Sequence, residues 1–484
     1  MNAFNGDPMS SQSQLSRIDE MSKRLTHHGQ EHLLTGIESL EEHAASAFLD
    51  ELDELDLAEM DRLISGVGVQ STEDDESAPA PEPAPYIERD SSEALQHREA
   101  GENLIRESKV AAFTVAGGQG TRLGWKGPKG TFPATPIIEK SLFRGFAEQI
   151  ISQEQRYGGE IPWYVMTSPL NDSETRSFFA EHNWFGKAPD SIMLFPQGVM
   201  PAVNGEGKML LESPGKLALS PDGHGGSLRA LRRSGALADM QRRGVEAISY
   251  FQVDNPTVHA VDPTFLGVHI ASKNSSAEMS SKMVAKKNAD EKVGVFCHSD
   301  GRTLVIEYSD LDPTLAQAVR ADGRLRFLSG SIALHVLGVD FVDRLTGPES
   351  TTQLPFHLAH KKVPFWDPMT HAQVTPEEPN GIKFEMFVFD ALSFARNSIV
   401  LETDRVEEFA PIKNADGDDS VVTSKALQIE RSARWIEAAG GVVPRTSDGT
   451  VDAIIEIEPS TALEANHLKG KSLPEITPGQ SIVL

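Results

Sequence analysis

The stretch KVAAFTVAGGQGTRLGWKGPKGTFPATP, residues 109–136, decides how this chain is read. Its first part, KVAAFTV (109–115), has the apolar, β-branched character of a buried strand. That strand empties into Ala116, Gly117, Gly118, Gln119 and Gly120, where backbone N–H groups can approach a ligand without obstructing side chains. Successive exposed N–H groups make a cradle for anions. Thr121 and Arg122 come next, and Lys129 follows within the same loop. A triphosphate needs both fixed dipoles and mobile cations, and this loop supplies both. Two familiar phosphate motifs do not fit. Lys129 follows proline and precedes glycine, so GxxxxGK[ST] is absent, and GGQGTRLG does not satisfy GxGxxG. Ordinary surface charge is the plain alternative for Arg122 and Lys129, and their glycine-rich neighbours weigh against it.

Outward from this loop, short apolar strands alternate with amphipathic helices. SLFRGFAEQIISQEQ (141–155) sets Leu142, Phe146 and Ile150 on one helical face, and WYVMT (163–167) is the next strand. DSETRSFFAEHNWF (172–185) opens with capping residues and reads as a helix. IMLFPQG and AISYFQVDN are further strands, separated by the helical SLRALRRSGALADMQRRG (227–244). This alternation predicts an α/β fold: a doubly wound, Rossmann-like domain over 91–400 with a mostly parallel sheet. Such sheets bind ligands at the carboxyl ends of their strands. Ahead of it, Phe48, Leu49, Leu52, Leu55, Met60, Leu63 and Ile64 recur at helical steps, predicting a helical unit over 1–66 that stops at Gly66. Residues 67–90 are rich in Pro, Ala and acid and read as an exposed linker or arm, with a docking motif as the alternative. After 400, stretches such as GGVVPRTSDGTVDAIIEIEP predict a small β-rich C-terminal domain over 401–484.

The chain has 484 residues, 39% hydrophobic and 24% charged, in the range of ordinary globular proteins. No run of about 18 apolar residues is present, which argues against a membrane-spanning helix. The N-terminus lacks a charged start followed by an apolar stretch, so no secretion signal is expected. A single cysteine, Cys297, excludes an internal disulfide and a cysteine-rich metal site. A cytoplasmic location is the expectation. The net charge of −26 argues against nucleic-acid binding through a broad basic surface, while leaving room for a local positive pocket. Acidity of this kind mainly aids solubility.

One carboxylate stands out. Asp254, in FQVDN, ends a very apolar strand, badly placed for a core and well placed for a hard cation. Magnesium favours such oxygen ligands together with substrate phosphates. Spacing alone leaves metal binding and a purely structural role evenly balanced.

The segment 115–136 resembles the signature of the UDP-sugar pyrophosphorylase family, most nearly the eukaryotic-type UDP-N-acetylglucosamine pyrophosphorylases. WYVMTS, FPQGVMPA, LSPDGHGGSLRAL, YFQVDNP, DEKVGVF, VIEYSDL, PNGIKFEMFVFD and PIKNADG resemble the same family in the same order, from roughly 100 to 440. The resemblance implies a nucleotidyltransferase domain and roles position by position. Val115, Ala116, Gly117 and Gly118 would lie against uridine and its phosphates. Arg122, Lys129 and Lys413 would hold the triphosphate and stabilise departing pyrophosphate. Gln197 would hydrogen-bond the uracil edge, to which a carboxamide can both donate and accept; a satisfied loop amide is its plain alternative. Gly223 would let backbone lie close to the base, and Asp254 would hold Mg2+. His224, Asn255, Gly294, Glu307, Ser331, Phe387 and Phe389 would form the sugar site, although the aromatics of FVFD are by themselves more often core.

The implied reaction converts UTP and a sugar 1-phosphate to a UDP-sugar and pyrophosphate, the sugar being first of all an N-acetylhexosamine. Two departures blur that choice. The eukaryotic acetylglucosamine enzymes usually carry Asn at the place of His224, where the UDP-glucose branch uses His, and Ser331 stands where they have Asn near the N-acetyl group. UDP-glucose or broad UDP-sugar synthesis is therefore the alternative. A nucleotide-sugar binding protein without catalysis and a scaffold acting through the acidic arm are the readings from other classes. The presence of Arg122, Lys129, Asp254 and Lys413 together argues against lost catalysis.

Overall fold

Apolar runs covered on both faces make parallel strands, and four of them carry the sheet that positions the loop. In the computed structural model, which describes residues 8–67, 81–348, 350 and 353–484, these are Val110–Val115, Trp163–Thr167, Ile192–Pro196 and Ala247–Gln252. They match the expected strands. Their spatial order is 192–196, 163–167, 110–115, 247–252, all parallel. Winding therefore proceeds to one side of 110–115 and then reverses to place 247–252 on the other. The crevice at such a reversal, outside the carboxyl ends of the two strands, is where doubly wound sheets take ligands. The glycine loop and Asp254 leave from those two ends.

Beyond 247–252 the ten-stranded sheet becomes mixed. Ser329–Gly338 runs antiparallel beside Ala247–Gln252, and Met279–Ala285 and Val295–Ser299 pair antiparallel with it in turn. Both faces of the parallel part are covered. On one, Phe146 of helix Leu142–Tyr157 meets Phe251 edge to face at 5.1 Å. On the other, Phe113 lies between Phe195 and Tyr250 at 6.0 and 5.6 Å. The helix expected over 227–244 is two, Gly226–Arg233 and Ala236–Arg243, because Gly235 adopts φ +82° between them.

All of this belongs to one compact unit, Pro79–Gln197, Ser227–Leu354 and Val388–Leu484. The segment after 400 is not built from strands alone. It contains the 18-residue helix Val421–Ala438, opened by a Ser420–Thr423 capping box, as well as the parallel pair Ala453–Glu456 and Gln480–Val483. The helix hides its period because half of its buried face is polar: Ser424, Gln428 and Ser432 beside Ala433, Trp435 and Ile436. Gln428 donates to the Ala134 carbonyl at 3.0 Å, and Lys140 donates to Glu458 at 2.6 Å, so this segment packs into the same unit as the sheet. Of the expected arm, 68–80 lies outside the described residues. Its far end is not exposed linker: Glu82 and Pro83 pair with His298 and Cys297 at the sheet.

The second unit comprises Met1–Ala78, Gly198–Gly226 and Pro355–Phe387. The helical rhythm of 48–64 appears as Glu42–Asp53 and Leu57–Ser65, divided where Asp56 caps the Glu59 N–H. Their apolar faces do not close on one another. Phe48, Leu49, Leu52 and Met60 share a core with Val203, Leu211, Trp366 and Phe384 from the two later segments. Buried Gln30 fixes that partnership by donating to Gly207 and accepting from the Met209 N–H, both at 2.9 Å.

Candidate active site

The strand Val110–Val115 delivers its last residues into a loop in which the Ala116 and Gly118 carbonyls are engaged and the N–H groups between Ala116 and Gly120 are not. Ala116, fully buried, donates to Met166 O at 2.7 Å. Gly118 O accepts from Lys129 N at 3.1 Å, and Gly120 N donates to Gly127 O at 3.0 Å, closing the loop back on the PKG segment. The N–H groups of Gly117, Gly118 and Gln119 donate to nothing among the described residues. Gly118 has open space around it, whereas a Cβ on Gly117 would stand 2.9 Å from Gln197 Oε1. Gly117 and Gln197, assigned to the same ligand from separate motifs, are thus neighbours, and a side chain at 117 would displace the Gln197 carboxamide from where it lies. The Gln197 carboxamide makes no hydrogen bond within the described residues, while its backbone is held by Thr167 O at 2.9 Å.

The charged residues gather at the same strand ends. Lys129 Nζ lies 3.9 Å from Asp254 Oδ2, both side chains 15% exposed. Ile412 N donates to Asp254 O at 2.8 Å, which brings Lys413 beside it from far along the chain. The Lys413 ammonium is 3.4 Å from Asp419 and lies over the Phe409 ring at 5.8 Å. Arg122, on the short turn Thr121–Leu123, is exposed and pairs with no carboxylate among the described residues. A loop of open N–H donors with an unneutralised guanidinium and two ammonium groups is suited to a polyphosphate.

Of the residues expected around a sugar, Gly294, Glu307 and Ser331 come together. A Cβ on Gly294 would be 3.2 Å from Glu307 Oε1, and Ser331 N donates to Gly294 O at 2.8 Å. Phe389 is 8% exposed, in the short turn Val388–Phe394. Asn255 does not offer its side chain to a ligand. It is buried and bonded to chain groups on every side: it donates to Glu408 O and accepts from Ala410 N at 3.1 Å and Thr257 Oγ1 at 2.9 Å. It ties the Asp254 turn to the segment that carries Lys413.

Three expected residues lie in the other unit. Gly223, at φ +82°, is required there because a Cβ would stand 2.4 Å from Met386 O. His224 stacks on Phe387 with ring centroids 5.4 Å apart, and His357 stacks on Phe387 at 4.4 Å.

Two features escaped the sequence. Asn171, fully buried, donates from Nδ2 to Ala116 O at 3.2 Å and to Gly118 O at 3.4 Å, and its Oδ1 accepts from Ser168 N at 2.7 Å. Its only sequence signal is an amide just ahead of a helix. The second is a buried charge network. Lys282 donates to Asp262 at 2.6 Å and to Glu408 at 2.5 Å, and Thr403 Oγ1 donates to Glu408 at 2.6 Å. Burial opposes all three charges, yet the attraction outweighs it: the Lys282 pKa is held above its ordinary value, and those of Asp262 and Glu408 below theirs. His259, Asp262 and Glu408 are close enough to ligate a metal. The Lys282 ammonium already fills that role. Elsewhere, burial raises the Cys297 thiol to about 12, leaving it an inert core group. No described helix is long and apolar enough to cross a membrane.

This arrangement has close relatives. Over 445 residues the chain is 35% identical to UDP-N-acetylglucosamine diphosphorylase 1 of Arabidopsis thaliana, covering 87% of this chain and 84% of that one. It is 36% identical over 498 residues to UDP-N-acetylhexosamine pyrophosphorylase-like protein 1 of Mus musculus, covering 94% and 95%. Among solved structures, uridine diphosphate N-acetylglucosamine pyrophosphorylase from Trypanosoma brucei, in complex with an inhibitor, matches with a TM-score of 0.78 and 25% identity over 94% of each chain. The family model for UTP–glucose-1-phosphate uridylyltransferase matches residues 62–466. Agreement of this extent, on a sheet whose switch point carries the open glycine loop, has one reading: the chain belongs to the UTP–glucose-1-phosphate uridylyltransferase family.

Proposed function

We propose that this chain is a uridylyltransferase: a phosphate oxygen of a sugar 1-phosphate attacks the α-phosphorus of UTP, the bond from that phosphorus to the α,β-bridging oxygen breaks, and pyrophosphate leaves. The observation that carries the reading is the open cradle of Gly117, Gly118 and Gln119 N–H groups beside the Lys129–Asp254 pair, at the switch point of the sheet.

The attacking oxygen is already anionic, so no side-chain nucleophile is required. What the residues must do is hold two anions in line and neutralise charge as it moves to the leaving group. The cradle and Arg122 bind the triphosphate, Lys129 and Lys413 meet the developing pyrophosphate charge, and Gln197 reads the uracil edge. The donor chemistry at Asp254, one hard carboxylate at the rim of the anion cradle, fits a magnesium ion that would take its remaining ligands from substrate phosphates and water. Such an ion supplies further neutralisation of the phosphate oxygens.

An N-acetylhexosamine 1-phosphate is the favoured acceptor, supported by the names of the curated relatives. Glucose 1-phosphate is the second reading, favoured by Ser331, whose short hydroxyl beside Gly294 and Glu307 offers no amide to an N-acetyl group. The acidic surface, the single buried cysteine and the substrates fit a cytoplasmic enzyme.

The test is pyrophosphate release from UTP and magnesium with N-acetylglucosamine, N-acetylgalactosamine, glucose and galactose 1-phosphates in separate reactions. Release with at least one sugar is expected, lost about 1000-fold in Asp254→Ala. Silence with all four, despite measurable UTP binding, would sink the catalytic claim for these substrates.

A further inference from the structure

A trans peptide points its carbonyl and its N–H in opposite directions. Whatever fixes the carbonyls of Ala116 and Gly118 therefore also aims the N–H groups of Gly117 and Gln119, the next residues in the chain. Those two carbonyls share a partner. Asn171 Nδ2 lies 3.2 Å from Ala116 O and 3.4 Å from Gly118 O, so a single carboxamide gathers both onto one side of the loop. Its other end is anchored, since Oδ1 accepts from Ser168 N at 2.7 Å. Its backbone is anchored as well: Asn171 N donates to Ser168 O at 3.0 Å, and Asn171 O accepts from Thr175 N at 2.9 Å within the first turn of helix Asp172–Glu181. The side chain is fully buried and cannot itself reach a ligand in the crevice.

We propose that Asn171 is the positioning residue of the nucleotide cradle: by holding the Ala116 and Gly118 carbonyls behind the loop, it presents the Gly117 and Gln119 N–H groups to the phosphates of the bound nucleoside triphosphate. This rests on the uridylyl-transfer reading and adds to it a residue that touches neither substrate. The geometry explains why two of the loop's three unpaired donors, those of Gly117 and Gln119, do not turn inward. Without the amide, the Ala116 carbonyl would lose its partner and the Gly118 carbonyl would keep only Lys129 N, at 3.1 Å, so more of the donor geometry would have to be ordered each time a nucleotide bound.

Asn171→Leu is the discriminating variant, because it keeps approximate size and the backbone bonds at the helix start and adds no charge near the phosphates while removing the NH2 donor. UTP affinity measured by calorimetry, and KM for UTP, should each weaken about tenfold, the scale of one or two lost hydrogen bonds. KM for the sugar 1-phosphate should stay within about twofold. Unchanged UTP affinity, or equal weakening for both substrates, overturns the proposal. Should the variant fail to fold, the unaltered protein still decides. Amide hydrogen exchange at Gly117 and Gln119 should be fast without nucleotide and slowed when UTP is bound. Absence of that slowing in the UTP complex overturns the assignment. Absence of UTP binding by the unaltered protein sinks the nucleotide reading itself, and the positioning role with it.

Discussion

Two charged regions of the same unit, the glycine loop and the Lys282 network, are built from similar materials to opposite effect. In the network every charge is matched: Lys282 bridges Asp262 and Glu408, and Thr403 completes the Glu408 carboxylate. In the loop the Ala116 and Gly118 carbonyls are matched while the Gly117, Gly118 and Gln119 donors are not, and Arg122 faces solvent with no acid partner among the described residues. Buried polar groups left unpaired are costly, so the network is closed. An anion site of the kind proposed has to be open, and unpaired donors are tolerable there because they can be solvated at a crevice rather than buried. The difference marks where the molecule carries stability and where it carries chemistry.

The comparison breaks most sharply at Lys282. Removing it in Lys282→Ala leaves two buried carboxylates facing each other, and chemical denaturation should show a loss of about 3–5 kcal/mol. The sign of its pH dependence follows from the depressed pKa values. The pairing of Asp262 and Glu408 is fully present above their unfolded values of 3.8 and 4.5, and is lost as the pH falls through the lower folded values. The gap between variant and parent should therefore narrow on acidification below about pH 4. A gap that stays constant from pH 7 to pH 3 would show that packing, not charge, dominates there. Lys129→Ala is the mirror experiment: kcat should fall about 100-fold or more, while the unfolding midpoint stays nearly unchanged. Equal loss of stability and activity would erase the distinction between the regions. The smallest effect sharpens it. Arg122→Lys keeps the charge but loses the planar fork, and KM for UTP should rise about tenfold with stability unaltered.

What the sequence revealed follows the same division. The loop's parts lie within 14 positions, so Gly117, Gly118, Arg122 and Lys129 could be read as one device from local order alone. The four parallel strands were equally legible, because burial on both faces makes each of them a short apolar run. Asn171 was not, since its meaning depends on two carbonyls more than 50 residues away. Lys282 sits inside a strand as an isolated cation, with Glu408 126 residues distant. Asn255, placed at the sugar site by the family resemblance, has its side chain occupied by Thr257, Glu408 and Ala410, the last two more than 150 residues away and invisible to any local pattern. The helix Val421–Ala438 was hidden by Ser and Gln on its buried face.

The shared core of the smaller unit bears on how the protein is made. Helices Glu42–Asp53 and Leu57–Ser65 leave the ribosome early, but Trp366 and Phe384, against which their apolar faces pack, are synthesised some 300 residues later. At 5–20 residues per second this delay is on the order of tens of seconds. Throughout it Phe48, Leu49, Leu52 and Met60 lack their final partners, so the nascent chain carries an incompletely covered apolar stripe until those residues emerge. These helices are made long before the residues that finish their core, an interval in which a chaperone's cover would suit their apolar faces.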